Sequence, residues 1–246
     1  MASMDAKGIV FSVISISVLA IIMAGCLRPN IITDSGLLNV TATATNFSVF
    51  IEAGCIEQGN GWLDCSSTSL DKRFSCEEMW VPKGLGGLSP KVQIVECNVL
   101  AKNEIEDTTA GIVRLGCMLP IFRKYIIFVD GEYKLIGSKE EFIQFFAPVE
   151  SPEEALAFAL ALTGAYADYN MTIPEGYVVL ASEIRTTYVE ESGGNFKVHL
   201  FDMQSCGCGS HPYYSVDYTV TLAGDVNEIS TEDIYQNPKL IGLCVD

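Results

Sequence analysis

Histidine occurs only twice among the 246 residues, at His199 and His211, and basic side chains number 15 against 31 acidic ones. The resulting net charge of −16 repels phosphate backbones and argues against nucleic acid as a partner. The motifs that announce common chemistries are missing too. There is no His-Glu-X-X-His, no phosphate-binding loop ending in Gly-Lys-Ser/Thr, and no Gly-X-Ser-X-Gly to accompany a histidine. Ser69-Leu-Asp-Lys72 has the Ser-X-X-Lys spacing but no Lys-Thr-Gly partner. Asp225-Val-Asn227 starts like a calcium loop yet lacks its glycine and closing glutamate. The chain also has no Cys-X-X-Cys, internal repeat or low-complexity tract. No catalytic site emerges, which favours a binding or structural role over an enzyme.

Cysteine and apolar residues, by contrast, are plentiful. Hydrophobic residues make up 49% of the chain, enough for a sizeable core in one large domain or two ordinary ones. Behind Lys7 lies an uncharged run of 18 residues, Gly8 to Gly25, that ends in small residues like a secretory leader. Its last residues and the next, Met23-Ala24-Gly25-Cys26, resemble the lipobox of prokaryotic lipoproteins. In that family the cysteine is lipidated and becomes the new N-terminus, which would make Cys26 a membrane tether. The other reading of residues 1–26 is an uncleaved anchor, because 18 helical residues nearly cross a bilayer core. Either one places residues 27 onward outside the cytoplasm, attached to the membrane through the N-terminus. The sequons at Asn39, Asn46 and Asn170 fit an exterior location in a host that glycosylates.

An oxidising exterior favours disulfides. Setting Cys26 aside leaves Cys55, Cys65, Cys76, Cys97, Cys117, Cys206, Cys208 and Cys244, enough for four bridges. Cys55 and Cys65 flank a Gly-Asn-Gly turn and are expected to pair. Ala147-Pro148-Val149-Glu150-Ser151-Pro152 is the best boundary, dividing a Cys-rich, mostly β region (27–147) from a helix followed by an antiparallel meander (148–246). Five of the eight cysteines precede it and three follow. Both counts are odd, so full pairing requires at least one bridge across residue 148.

Ser205-Cys-Gly-Cys-Gly-Ser-His211 is the densest reactive patch. In the structural reading, Cys206 or Cys208 pairs with Cys244 and the other takes the crossing bridge. In the alternative, Cys206, Cys208 and His211, with Cys244 as a further candidate, bind copper or zinc.

The fold expected is α+β, an antiparallel sheet packed against one or two helices and stabilised by disulfides. Residues 39–52 read as a strand, as do 91–100 and 111–117. Residues 124–136 read as a hairpin turning at Asp130-Gly131. Ser138 and Ser151, each followed three residues later by glutamate, read as helix starts; Pro152 strengthens the second. Alternation continues through 178–188, 196–200 and 214–222, with His199 on the polar, surface parity. This plan is similar in topology to cystatin-like and PepSY-like small domains, by analogy alone. The function expected is that of a secreted, membrane-tethered lipoprotein binding an unidentified protein or small molecule, with extracytoplasmic metal binding as the alternative.

Overall fold

Residues 40–47 do not form the strand that their threonine and valine content predicts. In the computed structural model, which describes residues 30–32, 40–101, 111–118 and 120–245, they run without regular structure. Their polar groups are taken one at a time by the segment beside them. Gly86 N donates to Thr43 O (3.1 Å), Ile94 N to Asn46 O (3.0 Å), and the Thr45 hydroxyl to Pro82 O (2.6 Å). Strand β1 (Asn30–Ile32) precedes this stretch, and helix α1 (Ser48–Glu52) ends it. Asn46 Oδ1 accepts from Ser48 N (3.2 Å) at the entry to α1, an Asx turn in place of a ladder. Cys26 and Asn39 lie outside the described residues.

The hairpin β2 (Ile56–Glu57) and β3 (Leu63–Asp64) is closed by the Cys55–Cys65 disulfide. Helix α2 (Leu70–Phe74) follows, and Cys76–Cys97 ties its far side to the first sheet. These cysteines form a small apolar cluster with Phe50, Met79, Val95 and Ile126. The first sheet is antiparallel and comprises β4 (Glu78–Trp80), β5 (Gln93–Leu100), β6 (Val113–Leu115), β7 (Ile121–Val129) and β8 (Glu132–Ile136). Strand β5 takes one edge of β7, while β6 and β8 share the other end to end. The β7–β8 turn has Asp130 at φ 55° and Gly131 at φ 81°, the left-handed pair a two-residue hairpin requires.

Two helices follow. Helix α3 (Lys139–Phe146) starts where Ser138 Oγ accepts from Glu141 N (3.2 Å); Glu141 in turn accepts from Gly137 N, one residue before the cap. Helix α4 (Pro152–Leu162) has the complete reciprocal box between Ser151 and Glu154. Every residue from Ala155 to Leu162 is buried. The end of α4 is held by β7: Tyr125 Oη donates to Ala161 O (3.0 Å) and Arg123 Nη1 to Thr163 O (3.1 Å). A guanidinium there complements the negative end of the helix dipole. Its own charge is answered by Glu96 on β5, 3.1 Å away.

The start of α4 sits hard against a glycine. A Cβ on Gly87 would collide with the carbonyl of Glu153, and one on Gly86 with that of Ala44. Gly87→Ala is therefore expected to push out the first turn of α4 and cost about 2 kcal/mol, read as a lower denaturant midpoint. Gly176→Ala serves as a control: its added Cβ meets nothing within 4 Å, so only the cost of its positive φ remains.

Beyond α4, the alternation across 178–188 does not make one strand. It breaks into β9 (Val178–Val179), β10 (Glu183–Arg185) and the start of β11 (Tyr188–Ser192), because each piece pairs elsewhere. Strand β9 pairs with the last long strand, β10 runs parallel to β1, and β11 pairs with its successor. The second sheet, ordered β11-β12-β14-β15-β9, is antiparallel. It contains β12 (Asn195–Met203), β14 (Tyr213–Val220) and β15 (Val226–Gln236). Between them, β13 (Gly207–Gly209) leaves the sheet to pair with β16 (Leu243–Val245).

One apolar cluster takes in Ile127 and Ile136 from the first sheet, Phe142 from α3, Leu156 and Phe158 from α4, and Val198, Leu200 and Val216 from the second sheet. It thus draws on residues from both sides of Pro148. The described architecture is broadly α+β and β-rich, with four helices and four disulfides.

Candidate functional site

The Cys-Gly-Cys loop is built as a fastening. Cys206 is bonded to Cys117, across residue 148, and Cys208 to Cys244, its direct partner in the β13–β16 register. His211 lies inside the same knot with only 2% of its surface exposed. Its Nδ1 is 2.9 Å from Gln204 O and its Nε2 2.9 Å from Leu243 O. Both ring nitrogens thus face backbone carbonyl oxygens within the knot. As folded, the loop offers neither a thiolate nor a free imidazole nitrogen to copper or zinc. Among the described residues, no group of three or more His, Cys, Asp or Glu side chains is arranged to hold a metal ion.

The other histidine departs from the sequence reading. His199 is 8% exposed rather than on the surface. Its strand parity does face away from the α4 side, but that face of the sheet is itself covered. The segment carrying β10 folds across it, docking Ile184 into a satellite cluster with Phe201 and Ile234. A cleft of about 570 Å³ remains between β10 and the sheet, lined by Glu183 and Arg185, Tyr188, Lys197 and His199, Ser215 and Asp217, and Ser230 to Glu232.

Register assembles this cleft. Tyr188 is opposite His199, His199 opposite Asp217, and Asp217 opposite Ser230, forming one row across four strands. The neighbouring row reads Phe201, Ser215, Glu232. Within the first row, Tyr188 stacks on the imidazole with centroids 4.9 Å apart and planes at 10°. Phe201 meets the same ring edge-on at 5.3 Å. Asp217 Oδ1 is 2.6 Å from His199 Nδ1, while Oδ2 takes Lys197 Nζ at 2.8 Å and the Ser230 hydroxyl at 3.0 Å. A bulge beyond Asp217 shifts the pairing, so Tyr218 is opposite Glu228. Bulges commonly re-aim side chains beside functional sites.

The electrostatics follow from these contacts. Burial opposes ionisation of Asp217, but the bonds from His199 and Lys197 overcome it and hold the carboxyl at about 2. The aspartate is therefore an anion that orients the imidazole through Nδ1. Nε2 is buried and has no hydrogen-bond partner within the protein.

A depressed folded-state value stabilises the fold above the unfolded carboxyl range, and that stability is lost as pH falls through the folded value. Acidification from pH 4 to 2 is expected to remove about 2 kcal/mol through this one side chain. Asp217→Asn should flatten that part of a pH–stability profile measured by chemical denaturation.

None of these residues was singled out from the sequence as a site. The available signal was two polar pairs at alternate positions, Lys197 with His199 and Ser215 with Asp217, on neighbouring strands. The sequon residues Asn46 and Asn170 are exposed. Comparison of the chain with protein-family models, curated proteins and solved structures gives no match.

Proposed function

We propose that this is an extracytoplasmic, membrane-tethered binding protein whose ligand seat is the cleft between β10 and the second sheet. The observation that carries the reading is the Tyr188–His199–Asp217–Ser230 row. A stacked, carboxylate-oriented imidazole with an unpartnered nitrogen lines a cavity on a rigid meander. Pockets that combine a few convergent polar groups with a perturbed titratable residue are the usual place for a ligand. The four disulfides fit an oxidising extracytoplasmic compartment. The leader-like residues 8–25 and the lipobox-like Cys26 supply the tether in this reading. Among the described residues, no helix is long and apolar enough to cross a membrane. In the finer architecture we favour, α3 and α4 form a layer shared by the two sheets, and the cleft opens on the far face of the second.

The two histidines make the test simple. Full-length protein carrying ¹⁵N-labelled histidine, in detergent, should give one imidazole signal set from the cleft and one from the loop. A small-molecule extract of the culture medium is expected to move the His199 signals and leave those of His211 in place. Silence at His199 over a broad set of extracts would sink the binding reading. The mass of the N-terminal peptide tests the tether separately, with an acylated Cys26 expected.

A further inference from the structure

The four disulfides differ most in what shields them. Cys55, Cys65, Cys76 and Cys97 are buried in the apolar cluster around Phe50, which keeps their sulfurs from an attacking thiol. Cys117 and Cys206 are half-buried, whereas Cys208 and Cys244 are both exposed. Exchange requires a thiolate to approach a disulfide sulfur, so access ranks the bridges, and exposed ones are the labile ones. The surroundings of this bridge are also separable from the rest of the fold. Strands β13 and β16 form a two-stranded sheet of three residue pairs, apart from both five-stranded sheets. None of their residues is buried. Two short strands with no apolar face are not stable alone, so the sulfur bond is what keeps β16 in place. Two contacts assist it: Gly242 N donates to Gly209 O (2.8 Å), and His211 Nε2 lies 2.9 Å from Leu243 O.

We propose that Cys208–Cys244 is a thiol–disulfide exchange site, and that its opening by a dithiol releases β16. One thiolate of the dithiol attacks Cys244 Sγ; the S–S bond breaks and its electron pair leaves on Cys208 Sγ. The second thiolate of the dithiol then attacks the dithiol's own sulfur in the mixed disulfide and expels Cys244 as a thiolate. The dithiol ends as an internal disulfide, its two protons are free to pass to the two cysteines, and this chain gains two electrons. Attack on Cys208 with Cys244 leaving balances in the same way. His211 reports the release. It is a non-glycine residue in the left-handed region, at φ 47°, a conformation that persists only where neighbours impose it. Its ring is clamped between Gln204 O and Leu243 O. When β16 departs, one jaw of that clamp goes with it, and a side chain now 2% exposed meets water. The core does not follow, because no residue of β13 or β16 belongs to an apolar cluster. The cleft beside β10 plays no part in this step, so the inference stands apart from the ligand reading.

The test uses the histidine-labelled full-length protein in detergent. Free thiols are first blocked with N-ethylmaleimide. Dithiothreitol is then added in steps, and each new thiol is trapped with iodoacetamide and mapped by mass. Cys208 and Cys244 are expected to be trapped together, at least about tenfold faster than any other pair. At the step where they open, the His211 imidazole signals should move while those of His199 stay. Reduced thioredoxin forms a second arm. Opening of this bridge by dithiothreitol alone assigns the exchange to small thiols; opening by both extends it to a protein dithiol. Cys208→Ser combined with Cys244→Ser should give the displaced His211 signals without any reductant. Earlier or simultaneous opening of another pair overturns the site. His211 signals that stay in place once Cys208 and Cys244 are trapped overturn the release of β16. Both decisive readouts come from the unaltered chain, so they hold even where the double variant does not fold.

Discussion

Replacing Cys117 and Cys206 together with alanine is expected to lower the unfolding free energy by about 4–5 kcal/mol. The bridge joins residues 89 apart in sequence, and the entropy of the unfolded chain rises with the length of loop released. The same double replacement at Cys55 and Cys65 frees a loop of only 10 residues and should cost about 2–3 kcal/mol. Denaturant unfolding of the two variants separates a chain-length effect from a uniform loss of sulfur packing. Equal losses would show that local packing, not loop closure, governs these bridges. The long bridge also links the first sheet's β6–β7 connection to the loop after β12, so its loss should loosen the relation of the two sheets. A second, earlier unfolding transition in the Cys117/Cys206 variant would report that directly.

Arg123→Ala is expected to cost about 3–5 kcal/mol. The guanidinium and its partner Glu96 are 16% and 13% exposed, so removing one leaves the other as a nearly buried, uncompensated charge. The Thr163 carbonyl at the end of α4 also loses its donor. The control is Arg123→Met combined with Glu96→Leu, which removes both charges and retains bulk. Recovery of about 2 kcal/mol relative to Arg123→Ala is expected if the stranded carboxylate accounts for the loss. No recovery would assign the cost to the helix end instead. Calorimetry or denaturant midpoints on the three proteins decide between them.

Legibility in the sequence followed the range of each interaction. The capping box at Ser151 and the Asp130-Gly131 turn depend on residues within four positions of each other, and their chemistry is written locally. Cysteine parity demanded a bridge across residue 148, but only the fold selects Cys117 with Cys206. What the sequence concealed depends on distant cover. Residues 40–47 have strand-like composition, yet their hydrogen bonds go singly to residues 82–94 and to the Tyr169 hydroxyl instead of into a ladder. Residues 178–188 alternate like one strand but are shared among three pairings. His199 sits on a polar parity that implies water, and β10 covers that face. The cleft needs the β11-β12-β14-β15 register and that covering segment together, and neither has a local signature.

The parallel pairing of β1 with β10 has a mechanical consequence. Among the described residues, three residue pairs, Asn30–Glu183 to Ile32–Arg185, join the two strands. Tension applied to the chain before Asn30 is borne first by this short seam, and β10 is one wall of the cleft. A pull from that end would thus strain the mouth of the pocket before any disulfide carries load.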